Sequence, residues 1–129
     1  MKKQILAVDD DSSIRELLEF LLRNDYDVVT KKDGMEAMVW LSSGNIPDLI
    51  ITDLDMPRLN GYEFFKNIRR SGFYRDIPTI VLSGLENSKL IITCLQQGAD
   101  NYILKPFNPE SLFIKIDQIL KGDLVGSGI

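Results

Sequence analysis

Short apolar runs of strand length alternate along this chain with segments of helical periodicity, up to about residue 121. The first run, Ile5–Val8, precedes a segment whose apolar residues recur at the i, i+3, i+4, i+7 spacing of one helix face. Such alternation is typical of parallel sheets, because each parallel strand must be joined to the next by a crossover connection. The sequence therefore predicts an α/β fold of five βα units.

Several predicted elements carry specific start signals. Asp11-Ser12-Ser13 supplies N-cap candidates for the first helix, and Ser13 with Glu16 predicts a capping box. Asn108-Pro109 is typical of the start of a last helix. The side chains expected to face the core from the first helix are Ile14, Leu17, Leu18, Leu21 and Leu22. The other helices are predicted near 34–42, 62–70, 86–97 and 109–120, and the strands near 5–8, 28–30, 49–53, 78–83 and 102–104.

Composition excludes several kinds of function. At 129 residues the chain has the size of one domain, and its formal charge of −4 gives no reason to expect nucleic-acid binding. No apolar run approaches the roughly 20 residues of a membrane helix, and the single cysteine, Cys94, suits the reducing cytoplasm. The chain has no histidine, which excludes Ser-His-Asp and Cys-His catalysis and most zinc sites.

Four of the apolar runs stop at residues suited to phosphate chemistry. The runs end at Asp9-Asp10-Asp11, at Asp53, at Ser83-Gly84 and at Lys105-Pro106. Open α/β sheets bind their ligands at the carboxyl ends of their strands. The sequence therefore predicts one site that combines acids, a hydroxyl and an ammonium group.

These motifs resemble the receiver domain of two-component response regulators, and the resemblance extends from about Gln4 to Lys121. Ser83, Tyr102 and Lys105 follow Asp53 by 30, 49 and 52 residues, as in that family. The resemblance implies a chemotaxis-regulator-like, flavodoxin-like doubly wound (βα)5 fold with strand order 2-1-3-4-5. The residues that carry it are Val8-Asp9-Asp10, Asp53, Met56-Pro57, Gly61, Ser83 and Lys105-Pro106-Phe107.

By this resemblance Asp53 is the candidate phosphoacceptor, and a carboxylate can form a covalent acyl phosphate. A cation must reduce the repulsion between the acids and the phosphoryl donor, and Mg²⁺ prefers such oxygen ligands, with Mn²⁺ as the alternative. The resemblance implies that Asp10 and Asp53 bind it directly, and Asp9 largely through water. The backbone carbonyl of Asp55 would complete the protein's ligands.

Three further residues receive roles from the resemblance. Lys105, before a cis peptide bond to Pro106, would bind a phosphoryl oxygen, and Ser83 would donate a hydrogen bond to the transferred group. Tyr102 matches the family's switch aromatic, which turns inward after phosphorylation.

The resemblance also implies partner proteins. A histidine kinase or phosphotransfer protein would supply the phosphoryl group, and the face of helix 4, strand 5 and helix 5 would bind a partner or a second copy.

Other interpretations stay open on the sequence alone. Asp9-Asp10-Asp11 also fits a plain helix cap, Ser83 a turn, Lys105 a surface lysine and Tyr102 a half-buried packing residue. Asp53-Leu54-Asp55 resembles the nucleophile motif of haloacid-dehalogenase-type phosphatases. A flavodoxin-like cofactor binder is a further alternative, but no glycine-rich loop follows the first strand to bind its phosphate. A constitutive interaction module is another, but it would have no need for the complete set of acids, serine and lysine.

Some positions depart from the common receiver pattern. Gly84 replaces the usual alanine, while Asp55 and Asp11 add negative side chains beside the site. These three residues are expected to alter metal affinity and the lifetime of an acyl phosphate. Residues 1–121 are expected to form the receiver, and residues 122–129 a flexible tail or the start of a linker. Both a stand-alone receiver and a piece of a larger regulator fit this sequence.

Overall fold

Five parallel strands form a single sheet in this computed structural model, which describes residues 2–55, 60–84 and 88–121. The strands are β1 Lys3–Val8, β2 Tyr26–Lys31, β3 Leu49–Asp53, β4 Thr79–Ser83 and β5 Asn101–Leu104. They lie in the order β2-β1-β3-β4-β5, and every neighbouring pair is parallel. The predicted flavodoxin-like topology is confirmed.

A helix follows each strand along the chain. The helices are α1 Ser12–Leu22, α2 Gly34–Ser42, α3 Gly61–Arg70, α4 Ser88–Gln96 and α5 Pro109–Leu120. The predicted start of the fourth helix at Glu86 and the predicted tail at residues 122–129 lie outside the described residues. The Pro, Asn and Gly content of residues 56–61 also predicts a loop, of which residues 56–59 lie outside the described residues, while Asn60 caps α3 and Gly61 begins it. Among the described helices, none is long and apolar enough to cross a membrane.

The central strands are covered on both faces of the sheet. Every residue of β3 and β4 is buried, as are the last four residues of β1. One face packs against α1 and α5 through Leu18 and Leu112, and the other against α2, α3 and α4 through Leu41, Phe64 and Ile91. Strands buried on both faces consist of continuous apolar runs, so polar residues occur where the runs end.

The start of α1 differs from the predicted capping box. Asp11 is the N-cap, and its carboxylate accepts a hydrogen bond of 2.8 Å from the backbone N–H of Ser13. Ser13 therefore lies inside the helix and cannot cap it together with Glu16. The predicted start of α5 is confirmed, because the Asn108 side chain accepts a hydrogen bond from the backbone N–H of Glu110.

The buried face of α1 is narrower than the sequence pattern predicts. Leu18 and Leu22 are buried, but Leu17 is 39% exposed and lies on the same helix as Phe20, which is 62% exposed. Leu17 and Leu18 are about 100° apart around the helix, so both cannot face the sheet equally. The prediction that Leu17 belongs to the core is wrong.

Replacing these two neighbours should have unequal effects on stability. Leu18→Ala leaves a cavity in the core and should lower the free energy of unfolding by about 2–5 kcal/mol. Leu17→Ala serves as the matched control and should cost about 1 kcal/mol or less, because its side chain is already partly in water. Urea unfolding followed by circular dichroism measures both, and equal losses would contradict the assigned orientation of α1.

Candidate functional site

Three carboxylates meet at the carboxyl edge of the sheet. The parallel register pairs Val8 with Thr52, so the residues after them, Asp9 and Asp53, lie side by side. One oxygen from each of Asp9, Asp10 and Asp53 lies within 4.8 Å of the others. Asp9 and Asp53 are buried, whereas Asp10 is exposed. This arrangement is an acidic cluster with one side open to solvent.

Lys105 brings a positive charge to the two buried acids. Its Nζ lies 2.8 Å from Asp9 Oδ2 and 3.3 Å from Asp53 Oδ2. Its backbone N–H donates to the carbonyl of Ser83 just beyond the end of β5, and the peptide bond to Pro106 is cis, as the resemblance implied. The interpretation of Lys105 as an ordinary surface lysine is wrong.

Two buried polar atoms at this edge lack a well-aligned hydrogen bond within the described residues. Asp9 Oδ1 accepts from the backbone N–H of Asp11, but Asp9 Oδ2 has only its close ionic contact with Lys105. Ser83 Oγ, at the end of β4, is buried without a partner among those residues. A buried polar group without a hydrogen bond costs about 1–3 kcal/mol, so such atoms are typical of sites that receive a ligand.

The electrostatics of Asp53 reflect crowding of negative charge. Burial and the neighbouring charge of Asp9 raise the pKa of Asp53 from 3.8 to about 6. The charge of Lys105 and the backbone N–H of Asp55, 3.3 Å from Asp53 Oδ1, oppose this rise only in part. For Lys105, burial alone would lower the pKa, but Asp9 and Asp53 outweigh it and the pKa is raised. An added cation would relieve the excess negative charge.

A cleft of about 580 Å³ opens onto the cluster. The three positions that depart from the common receiver pattern all line this cleft, namely Asp11, Asp55 and Gly84. The carboxylate of Asp11 is engaged as the cap of α1, while the side chain of Asp55 is exposed. The carboxylate of Asp55 is therefore more available to interact with a ligand in the cleft than the carboxylate of Asp11.

Sequence reasoning assigned no role to two residues that shape this site. The guanidinium of Arg15 donates a 2.7 Å hydrogen bond to the backbone carbonyl of Asp9. At Gly61, a Cβ atom would lie 1.8 Å from the backbone oxygen of Asp53, so only glycine allows α3 to approach β3 this closely. For Gly61 the sequence offered a signal, because this glycine is part of the receiver motif. For Arg15 it offered none, because arginines are common on the exposed faces of helices.

Tyr102, the expected switch aromatic, is half-buried on β5. Its ring packs against the apolar cluster that contains Phe65, Val81 and Ile91, and the strand register places it beside Val81 of β4. Ser83 follows Val81 by two residues on that strand, so the proposed pair lies on neighbouring strands. This placement on neighbouring strands is compatible with the expected coupling of Tyr102 and Ser83, which stays a prediction.

The fold and this acidic edge together define a class of protein. A family model described as the response regulator receiver domain matches residues 5–117. This chain therefore belongs to that family, the receiver domains of two-component systems. Receiver domains are signalling switches that interact with histidine kinases and phosphotransfer proteins.

Three relatives illustrate the similarity. The chain is 40% identical over 121 residues to the Probable transcriptional regulator ycf27 of Porphyridium aerugineum, covering 93% of this chain and 49% of that protein. It is 34% identical over 119 residues to the Chemotaxis protein CheY homolog of Campylobacter jejuni, covering 91% and 92% of the two. The receiver domain of the sensor histidine kinase PA1611 from Pseudomonas aeruginosa is 29% identical with a TM-score of 0.82, over 94% and 99% of the two chains.

These relatives differ in how much of their own length is matched. The chain spans about half the length of the ycf27 regulators, but nearly all of the CheY homolog. The structure of the Pseudomonas receiver domain has a magnesium ion coordinated in its active site cleft.

The raised pKa of Asp53 predicts a pH-dependent difference between wild type and Asp53→Asn. Without divalent cations, the folded wild type binds more protons than the unfolded chain between about pH 4 and 6, so its stability falls as pH rises through this window. The asparagine variant lacks this loss. Its stability relative to wild type should therefore increase by about 1–3 kcal/mol from pH 4 to 7, since one pKa unit corresponds to about 1.4 kcal/mol.

Urea unfolding in the presence of a chelator, at several pH values, measures this difference. Titrating groups remote from Asp53 are common to both proteins and cancel in the comparison. A stability difference that stays constant with pH, or that shrinks as pH rises, would contradict the raised pKa of Asp53.

The close contact at Gly61 predicts a second effect. Gly61→Ala forces the start of α3 away from the backbone of Asp53 and Leu54, and should cost about 1–3 kcal/mol of unfolding free energy, as overpacking does. Gly72→Ala is the matched control, because a Cβ atom there has no neighbour within 4 Å. Unfolding curves of the two variants test this, and a loss at Gly61 no larger than that at Gly72 would argue against the contact.

Proposed function

We propose that this chain is a phosphorylation-controlled switch whose phosphoacceptor is Asp53. One observation carries the proposal: Asp53 is buried at a strand end beside two further carboxylates and the ammonium of Lys105. An acid in these surroundings is expected to use its charge in binding or chemistry, because isolated buried charges are unfavourable.

The proposed transfer is a displacement at phosphorus. A carboxylate oxygen of Asp53 forms a P–O bond while the P–N bond to the donor's phosphohistidine breaks, and the donor's imidazole, already protonated on its other ring nitrogen, leaves as the neutral base. The donor is a histidine kinase or a phosphotransfer protein, because this chain contains no histidine. Lys105 would neutralise a phosphoryl oxygen, and alignment with charge neutralisation is most of what phosphoryl transfer needs.

The residues fit a divalent cation, Mg²⁺ or Mn²⁺. Asp10 and Asp53 would bind it directly, Asp9 largely through water, and the backbone carbonyl of Asp55 would add a ligand. The three clustered carboxylates and the magnesium in the Pseudomonas relative's cleft support this assignment. When bound, the ion supplies positive charge between the acids and the phosphoryl group.

The added phosphoryl charge would bias a two-state surface through Ser83 and Tyr102. Ser83 Oγ, buried and without a partner among the described residues, would donate to the phosphoryl group. The output face would comprise α4, β5 and α5, binding a target protein or a second copy. Ile92 and Ile114, 54% and 53% exposed, and Leu104, 38% exposed, support an interface there. We place this switch in the cytoplasm, where the lone thiol Cys94 suits the reducing conditions.

The phosphatase alternative is less well supported than the switch. The haloacid-dehalogenase motif ends the first strand of its fold, whereas Asp53 ends β3. We therefore propose a receiver that modifies itself and slowly loses its phosphate, rather than a turnover enzyme.

Labelling with a small phosphoryl donor tests the proposal. Wild type incubated with Mg²⁺ and acetyl phosphate or a phosphoramidate should gain one acid-stable, base-labile phosphoryl group by intact mass. Asp53→Asn should abolish this gain. The control Asp55→Asn removes a nearby exposed carboxylate and should keep the labelling, with a changed rate. Stoichiometric labelling of Asp53→Asn would refute the assignment of the phosphoacceptor.

A further inference from the structure

One lysine of α5 contacts Tyr102 in two ways. Lys115 Nζ donates a 2.6 Å hydrogen bond to the backbone carbonyl of Tyr102 and lies 4.6 Å from the centroid of its ring. Within the described part of the chain, Lys115 has no ion pair, so its charge is not neutralised by a nearby carboxylate there. The ammonium is therefore available to attract the electron-rich face of the ring.

The two contacts depend differently on the position of the ring. The hydrogen bond joins Lys115 to the backbone of β5 and does not require a particular side-chain rotamer of Tyr102. The contact with the ring exists only while the ring stays beside α5. Rotation of the ring toward Ser83 and the sheet edge would break the second contact without breaking the first.

We propose that Lys115 is a positioning residue that holds the ring of Tyr102 in its resting position and so sets the resting population of the switch. This inference rests on the proposed function, in which the inward position of Tyr102 accompanies the phosphorylated state. A cation over an aromatic ring at a partly exposed site contributes about 0.5–1 kcal/mol. A free energy of this size changes the equilibrium between the resting and inward positions of Tyr102 by roughly two- to fivefold. While the inward position is the minor one, the apparent affinity of a ligand that binds only the inward state changes by the same factor.

Beryllofluoride, a phosphoryl mimic, is the probe for the test, with Mg²⁺ present. Lys115→Met keeps the aliphatic stem but removes the charge, and should tighten the apparent beryllofluoride affinity roughly two- to fivefold. Lys115→Arg keeps a cation and a donor and should stay near wild type. Lys121→Met is the charge control, because it removes an exposed lysine at the end of α5 whose ion pair is with Asp117 and not with Tyr102.

A double-mutant cycle separates the ring contact from the backbone hydrogen bond. Tyr102→Leu removes the ring and leaves the backbone carbonyl, so adding Lys115→Met to it should leave the beryllofluoride affinity unchanged. The chain has four tyrosines, so fluorotyrosine NMR adds a direct readout. The resonance that is missing from the spectrum of Tyr102→Leu belongs to Tyr102. In Lys115→Met without beryllofluoride, this resonance should shift toward the position that it has in the beryllofluoride-bound wild type.

Each of the following outcomes would overturn the inference. Lys115→Met could bind beryllofluoride as wild type does or more weakly. Alternatively, the effect of Lys115→Met could persist in the Tyr102→Leu background, which would assign that effect to the hydrogen bond with the backbone carbonyl. A wild-type protein that does not bind beryllofluoride would instead refute the proposed function, and the role of Lys115 with it. Normal wild-type binding with no effect of Lys115→Met would refute only the role of Lys115.

Discussion

The close approach of two buried carboxylates and one ammonium group is the interaction on which the rest of this structure depends. Asp9 and Asp53 are brought together by strand pairing in the middle of the sheet, where the apolar runs leave no room for rearrangement. Lys105 compensates for one of the two negative charges. Burial, together with the remaining charge of Asp9, raises the pKa of Asp53, and the excess negative charge favours a further positive charge at the site.

Much of this arrangement could be predicted from the sequence, because it follows from strand topology. Once each apolar run is recognised as a buried parallel strand, the residues after the runs must share one edge of the sheet. This reasoning predicts from the sequence alone that Asp9, Asp53, Ser83 and Lys105 share that edge. The helix start at Asn108 is equally predictable, because side chains that cap helices act locally.

The parts that could not be predicted depend on long-range geometry. Leu17 fits the periodic pattern of a buried face, but its exposure depends on how α1 rotates over the sheet. Asp11 was among the N-cap candidates of α1, but the local sequence does not decide between Asp11 and Ser13, because both side chains can cap a helix. The contacts of Arg15 with Asp9 and of Lys115 with Tyr102 join residues that no local pattern connects.

The backbone N–H and the backbone carbonyl of Asp9 both have hydrogen-bond partners within the protein, and this affects the free energy of binding at the site. The N–H donates to the carbonyl of Lys31, and the carbonyl accepts from the guanidinium of Arg15. In the proposed receiver, a divalent cation would meet a turn between β1 and α1 whose hydrogen bonds are already made. Its binding would then not have to supply the free energy of ordering that turn, which is the advantage of a preorganised site.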